Sequence, residues 1–230
     1  MTSSPGSQDV SNTTAVDAVI FDYGEVLSLR QPAETLSAIR SLSGLDDESF
    51  NQHYWGQRDP YDGGRYSGVR YWQAISQSAG VPLSDDQIEM LIALDIASWS
   101  ALNLVMLGWA RRLQEHGIKT AILSNMQPDL LRHMQSQFPW LGGFTHLTFS
   151  CALGMLKPDP EIYRECLAGL GATPGRTLFL DDRQVNVEGA RRAGMRAILF
   201  QSPQQLAREV AAIPGLPPVL AVHPITGLEP

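Results

Sequence analysis

The sequence predicts an α/β fold, a doubly wound parallel sheet with a small helical insertion, and three observations carry that expectation. Five short runs rich in aliphatic and aromatic residues alternate with segments of helical pattern. The interval from 22 to 119, between the first two runs, is helical in pattern throughout and far longer than one crossover helix requires. The composition is that of an ordinary globular chain: 230 residues, 43% hydrophobic and 18% charged, enough for a substantial core.

The apolar runs Ala18–Phe21, Thr120–Leu123, Leu147–Phe149, Thr177–Leu180 and Ala197–Phe200 read as buried strands, because parallel strands covered on both faces lose the apolar/polar alternation. Helices are expected at Pro128–Phe138, Pro160–Leu170, Val185–Ala193 and Gln204–Ala212, with Pro128 and Pro160 suited to a first turn and Gly194 to a stop. Within the long interval, helices are expected at Pro32–Ser43, Asp46–Trp55, Gly68–Ala79 and Asp85–Trp99, divided by the turn signal Asp62-Gly63-Gly64. A crossover helix from Ala101 to His116 follows. The expected organisation is a core of residues 17–30 and 101–212, an insertion at 31–100, a frayed tail at 1–16 and a proline-rich tail at 213–230 that wraps the surface or is mobile.

Several function classes are disfavoured. A net charge of −7 without a basic run argues against nucleic-acid binding, which needs clustered positive charge. The longest uncharged apolar stretch, Ile96–Ala110, is broken by Ser98, Ser100 and Asn103 and falls short of the roughly 20 residues of a membrane span. Residues 1–16 lack the pattern of a secretory signal, and Cys151 and Cys166 form neither a disulfide framework nor a zinc spacing. A soluble, cytoplasmic protein acting on a small molecule is the expectation. Nothing in the sequence sets its oligomeric state.

Ligands of open α/β sheets bind beyond the carboxyl ends of the strands. There the first strand delivers Asp22, the second Ser124 and Asn125, the fourth Asp181 and Asp182, and the loop after the third Lys157. Taken singly these are capping or turn residues and a solvated lysine. Together they are what phosphoryl transfer onto a carboxylate needs. Asp22 attacks phosphorus, and a hard divalent cation held by Asp22 and Asp182 neutralises the repulsion between anions. Lys157 adds fixed positive charge, while Ser124 and the Asn125 amide bind phosphate at a helix start.

Four motifs stand in order: AVIFDYGEVLS (Ala18–Ser28), AILSNM (Ala121–Met126), GMLKPDPEIY (Gly154–Tyr163) and TLFLDDRQVNVEGARRAGM (Thr177–Met195). As a set they resemble the haloacid dehalogenase-like hydrolase superfamily. The wording is similar to its sugar-phosphatase branch and to the phosphatase domain attached to epoxide hydrolases. That resemblance implies a Rossmann-like core, a mobile helical cap over the site, and a Mg²⁺-dependent phosphatase acting on a small phosphorylated metabolite. It further implies Asp22 as nucleophile, the Gly24 carbonyl and Asp182 as metal ligands, and Asp181 and Asn186 acting through water. Arg183 stands near the site without an assigned role.

One position departs from the family pattern: where its phosphatases carry a second Asp, two residues after the nucleophile, this chain has Gly24. That Asp acts as acid and base, a role that contributes about 10² to 10⁴ in rate. Glu25 is the nearest replacement, and a leaving group such as a sugar anomeric oxygen would need less proton assistance. In the insertion, Phe50, Tyr54, Trp55, Tyr61, Tyr66, Tyr71 and Trp72 crowd together with Arg58, Arg65 and Arg70. Most of these aromatics are expected to pack the insertion, and a minority to face the substrate.

Three rival readings use the same residues differently. A 2-haloacid dehalogenase would use the same Asp22 on carbon, but leaves the Asp181-Asp182 pair without a purpose. A signalling receiver module gathers similar residues in a different chain order and lacks an insertion. A catalytically impaired phosphate-binding protein would fit Gly24.

Overall fold

The computed structural model describes residues 15–220. In it β1 (Ala18–Phe21), β2 (Lys119–Ser124), β3 (His146–Phe149), β4 (Thr177–Asp181) and β5 (Arg196–Leu199) form one sheet in the order β3-β2-β1-β4-β5, every neighbouring pair parallel. The expected strands are all present, with ends displaced by a residue or two. Between them run α1 (Ala33–Ser43), α2 (Asp47–Gly56), α3 (Arg58–Asp62), α4 (Gly68–Ala79), α5 (Asp85–Ser98), α6 (Leu104–Glu115), α7 (Pro128–Gln137), α8 (Ser150–Leu153), α9 (Pro160–Leu170), α10 (Gln184–Arg192) and α11 (Pro203–Val210).

Both faces of the sheet are covered, which explains the unbroken apolar runs. Val19, Phe21, Ile122, Leu178 and Leu180 point to the face covered by α6, α7 and α11, where Trp109 meets the Phe21 ring edge-on at 5.6 Å. Ala18, Ile20, Ala121, Leu123 and Phe179 point to the other face, against Ile162, Tyr163, Cys166 and Ala190 of α9 and α10. Val16 is already buried in this core, and Ile213, Leu216 and Val219 lie against it. The Pro217 carbonyl accepts the Trp109 indole N–H at 2.9 Å. The remainder of the two expected tails, 1–14 and 221–230, lies outside the described residues.

Helices α1–α5 have an apolar centre of their own, built from Ile39, Phe50, Tyr54, Tyr61, Tyr71, Trp72, Ile75, Ile88 and Leu91. Their ends follow local rules: Asp46, Ser67 and Ser84 cap α2, α4 and α5, the last with a reciprocal Ser84/Gln87 capping box. The chain enters and leaves this helical insertion side by side. The Leu29 amide donates to the Ala101 carbonyl at 2.7 Å and the Asn103 amide to Leu27 at 2.8 Å. That pairing occupies residues 101–103, which is why α6 starts at Leu104 with Asn103 as its cap rather than at Ala101.

The insertion also docks on the core at the end of α3, a short helix that the periodicity of the sequence is too brief to show. Gly64 sits there at φ +74°, and a Cβ on it would lie 2.3 Å from the Cys151 carbonyl oxygen. Gly80, at φ +69°, has no neighbour within 4 Å of the equivalent point. Gly80→Ala therefore carries only the left-handed strain of about 1–2 kcal/mol. Gly64→Ala carries the same strain plus a backbone collision, and its urea midpoint should fall clearly further; equal midpoints would show that the Gly64 approach is not needed.

Candidate active site

Strand register brings the central groups together. Phe21 pairs with Ile122 on one side and Leu180 on the other, so the next residues, Leu123, Asp22 and Asp181, form one row across β2, β1 and β4. The Lys157 ammonium closes this row. Its Nζ lies 3.0 Å from the Leu123 carbonyl, 2.9 Å from Asp22 Oδ1 and 2.7 Å from Asp181 Oδ2. An ammonium has three donors, and all three have partners here. Lys157 is held in turn by Asn125, whose Nδ2 donates to the Lys157 carbonyl at 3.0 Å and whose Oδ1 accepts from the Lys157 amide at 2.8 Å. The Asn125 side chain is thus engaged in positioning the lysine loop.

Asp181 is spent on structure. Besides Lys157 it accepts from the Arg183 amide at 2.9 Å and from Asn186 Nδ2 at 2.9 and 3.1 Å. Asn186 Oδ1 is buried without a partner. Asp22 accepts at Oδ1 from the Tyr23 amide at 2.7 Å as well as from Lys157, while its Oδ2 has no recorded partner among the described residues. Asp22, Ser124, Asn125, Lys157, Asp182, Asn186, Gly24 and Glu25 all line one cavity of about 480 Å³. Ser124 is almost fully buried at its place in that lining.

The electrostatics expose an imbalance. Ligand atoms of Asp22, Asp181 and Asp182 lie within 4.8 Å of one another. Three carboxylates against one ammonium leave two negative charges uncompensated. Burial, reinforced by Asp181 and Asp182 and opposed by Lys157, pushes Asp22 up to about 7. Burial and Asp181 push Asp182 up to about 6. Burial works against the Lys157 ammonium, but the Asp181 and Asp22 carboxylates outweigh it and hold its pKa above the ordinary range. Clustered hard oxygen ligands with two charges in excess, beside an orphaned amide oxygen, are the setting a small divalent cation fits.

The insertion supplies the cavity's far wall through Trp55, Arg58, Asp59, Asp62 and Trp99. Phe50, Tyr54, Tyr61, Tyr71 and Trp72 are buried in the insertion's own core, and Arg65 and Arg70 are exposed. Arg58 pairs with Asp95 of α5 (2.8 Å), surrounded by the rings of Tyr54, Trp55, Tyr61 and Tyr71. Asp95 also accepts from Tyr54 and from Gln127 of the core. Trp55 and Arg58 belong to the aromatic and arginine group that the sequence singled out, whereas Asp59, Trp99 and Asp95 were missed and Asp62 was read only as part of a turn; a lone Asp in the apolar run LIALDIAS was a usable signal for Asp95. Glu25 stands at φ +53°, with its carboxylate 3.8 Å from exposed Arg30. Arg183 lines the cavity too.

Comparison with known proteins shows the family and the fold. The haloacid dehalogenase-like hydrolase family matches residues 16–194, and the chain belongs to it. Bifunctional epoxide hydrolase 2 of Rattus norvegicus is 32% identical over 147 residues, covering 61% of this chain and 26% of that protein. This chain thus spans about a quarter of the epoxide hydrolase's length. Phosphatase MT3486 of Mycobacterium tuberculosis (strain CDC 1551 / Oshkosh) is 26% identical, covering 83% of this chain and 90% of that one. The HAD family enzyme BT-2542 of Bacteroides thetaiotaomicron, solved in complex with magnesium and inorganic phosphate, superposes with a TM-score of 0.66 at 20% identity, covering 81% and 95% of the two chains. No helix among the described residues is long and apolar enough to cross a membrane.

The Arg58–Asp95 pair yields a direct test of how the wall is held. Asp95→Leu leaves a buried guanidinium unpaired and should cost about 3–5 kcal/mol in urea denaturation. The double variant Arg58→Met/Asp95→Leu should recover part of that loss, whereas additive losses would show that the two groups do not act as a pair.

Proposed function

We propose that the protein is a Mg²⁺-dependent phosphatase for a small phosphomonoester, with a sugar phosphate the best fit, acting through an aspartyl phosphate on Asp22. The observation that carries this reading is the row Leu123–Asp22–Asp181 closed by Lys157. It engages one Asp22 oxygen and leaves the other without a partner among the described residues, on a side chain that lines the cavity, which supports a nucleophilic role.

Asp22 Oδ2 attacks phosphorus while Lys157 fixes the carboxylate by its other oxygen. Ser124 and the Asn125 amide bind the phosphoryl oxygens, and Asp181, locked by Asn186 and Lys157, keeps the lysine in place. Asp22, the Gly24 carbonyl and Asp182 are the groups proposed to hold the ion, with Asn186 supporting through water. Magnesium, when bound, neutralises the charge that accumulates on the phosphoryl group. Trp55 and Trp99 offer flat apolar surfaces beside Asp59 and Asp62, a combination suited to a polyhydroxylated leaving group. A dehalogenase displaces halide without a cation and gives the three-carboxylate cluster no task.

A panel of phosphorylated sugars, with and without EDTA, tests this directly. Turnover should require Mg²⁺ and vanish in Asp22→Asn; full activity of that variant, or halide release from a 2-haloacid in EDTA, would overturn the reading. Metal linkage offers a second test. Asp22 and Asp182 titrate higher in the folded chain than unfolded, so the metal-free fold holds extra protons and loses stability as pH rises from about 4 to about 7. Mg²⁺ at about 100 times its Kd should add about 2.7 kcal/mol. That gain should be complete at pH 8 and smaller at pH 5, where protons compete, and a melting curve indifferent to Mg²⁺ at pH 8 would contradict it.

A further inference from the structure

Expelling an alkoxide from phosphorus requires a proton at the leaving oxygen, and Gly24 brings no side chain to the site. Five carboxylates line the cavity: Asp22, Glu25, Asp59, Asp62 and Asp182. Asp22 and Asp182 belong to the cluster at the strand tips. Glu25 faces Arg30, and Asp59 is exposed. Asp62 differs from all of these. Its Oδ1 is shielded from solvent and has no hydrogen-bond partner, and none of the ion pairs among the described residues includes it.

Its backbone is pinned to the loops that carry the proposed nucleophile's partners. The Asp62 carbonyl accepts from Ser150 Oγ at 2.5 Å, and the same Oγ accepts from the Met126 amide, two residues beyond Ser124, at 2.8 Å. Next to it, a Cβ on Gly63 would stand 3.6 Å from Leu156, the neighbour of Lys157. Tyr61 donates to Asp129 Oδ2 at 2.8 Å, fixing the other flank.

We propose that Asp62, from the insertion, is the acid and base of the reaction, resting on the phosphatase reading above. In the first half, Asp22 Oδ2 bonds to phosphorus, the ester P–O bond breaks, and the leaving oxygen takes the proton of the Asp62 carboxyl. In the second half, a water oxygen bonds to phosphorus, the Asp62 carboxylate accepts a water proton, and the bond between phosphorus and Asp22 breaks. Both carboxyl groups end as they began. The environment suits a group that must alternate. Burial is the largest influence and pushes Asp62 up to about 6, with Asp95 and Asp59 adding to it and Arg58 and Arg183 opposing; Cys151 of α8 also faces it.

The test compares an alkyl with an aryl phosphate, because an aryl leaving group needs no proton. With Mg²⁺ present, Asp62→Asn should lower kcat/KM for the alkyl ester by about 10² to 10⁴. On p-nitrophenyl phosphate it should release one rapid equivalent of phenolate and then stall at hydrolysis of the intermediate. An alkyl kcat/KM within threefold of wild type, or an equal fall in the first-turnover rate on both esters, would overturn the assignment. The wild type gives an independent reading should the variant not fold. Its alkyl kcat/KM should fall as pH rises through about 6 and its aryl kcat/KM should lack that limb, and the same limb in both would overturn the proposal. Wild-type failure to release phosphate from either ester would sink the phosphatase reading itself.

Discussion

The arrangement depends on one ammonium set across three strands. Lys157 satisfies its three donors with Leu123, Asp22 and Asp181, so a single charge fixes the tips of β2, β1 and β4 relative to one another. Burying a charge costs free energy unless every donor is paired, and here the pairing is complete. The cost reappears as a surplus of carboxylate at the same place. Proximity of Asp182 leaves the cluster short of positive charge, and this shortage makes the site receptive to a cation and to protons.

The helical insertion reaches the core through polar as well as apolar contacts. Its aromatic rings pack mainly on each other and around Arg58, while Asp95 links that guanidinium to Gln127 on the core side. Tyr61 and the Gly68 amide both donate to Asp129 at the start of α7. The wall of the cavity is therefore set by directional hydrogen bonds as well as by apolar packing of Ile96 and Trp99 on the core. Such bonds hold one geometry and tolerate small displacement poorly, which suits a surface that must meet a substrate.

Much of this was legible in the sequence. Parallel strands buried on both faces announce themselves as apolar runs, and the residue after each such run falls at the ligand-binding edge, so Asp22, Ser124 and the Asp181-Asp182 pair could be placed without coordinates. What could not be read was register. Only the pairing of Phe21 with both Ile122 and Leu180 shows that Asp22 and Asp181 share a row, and hence that Lys157 is engaged by both. Asp62 was legible only as a turn former because it precedes two glycines, and Arg58 as one of three arginines among the insertion's aromatics. Their significance comes from burial by a partner distant in sequence, such as Asp95 for Arg58, which no local pattern encodes.

On the proposed mechanism the Lys157-held carboxylate of Asp22 carries the phosphoryl group during turnover. Rapid acid quench of the Mg²⁺-loaded protein during hydrolysis of a phosphate ester, followed by digestion and mass spectrometry, tests it most directly. A phosphoryl group should appear on the peptide containing Asp22, located to that residue. Steady turnover with Asp22 unmodified at every quench time, or with the phosphoryl group on another residue, would contradict it.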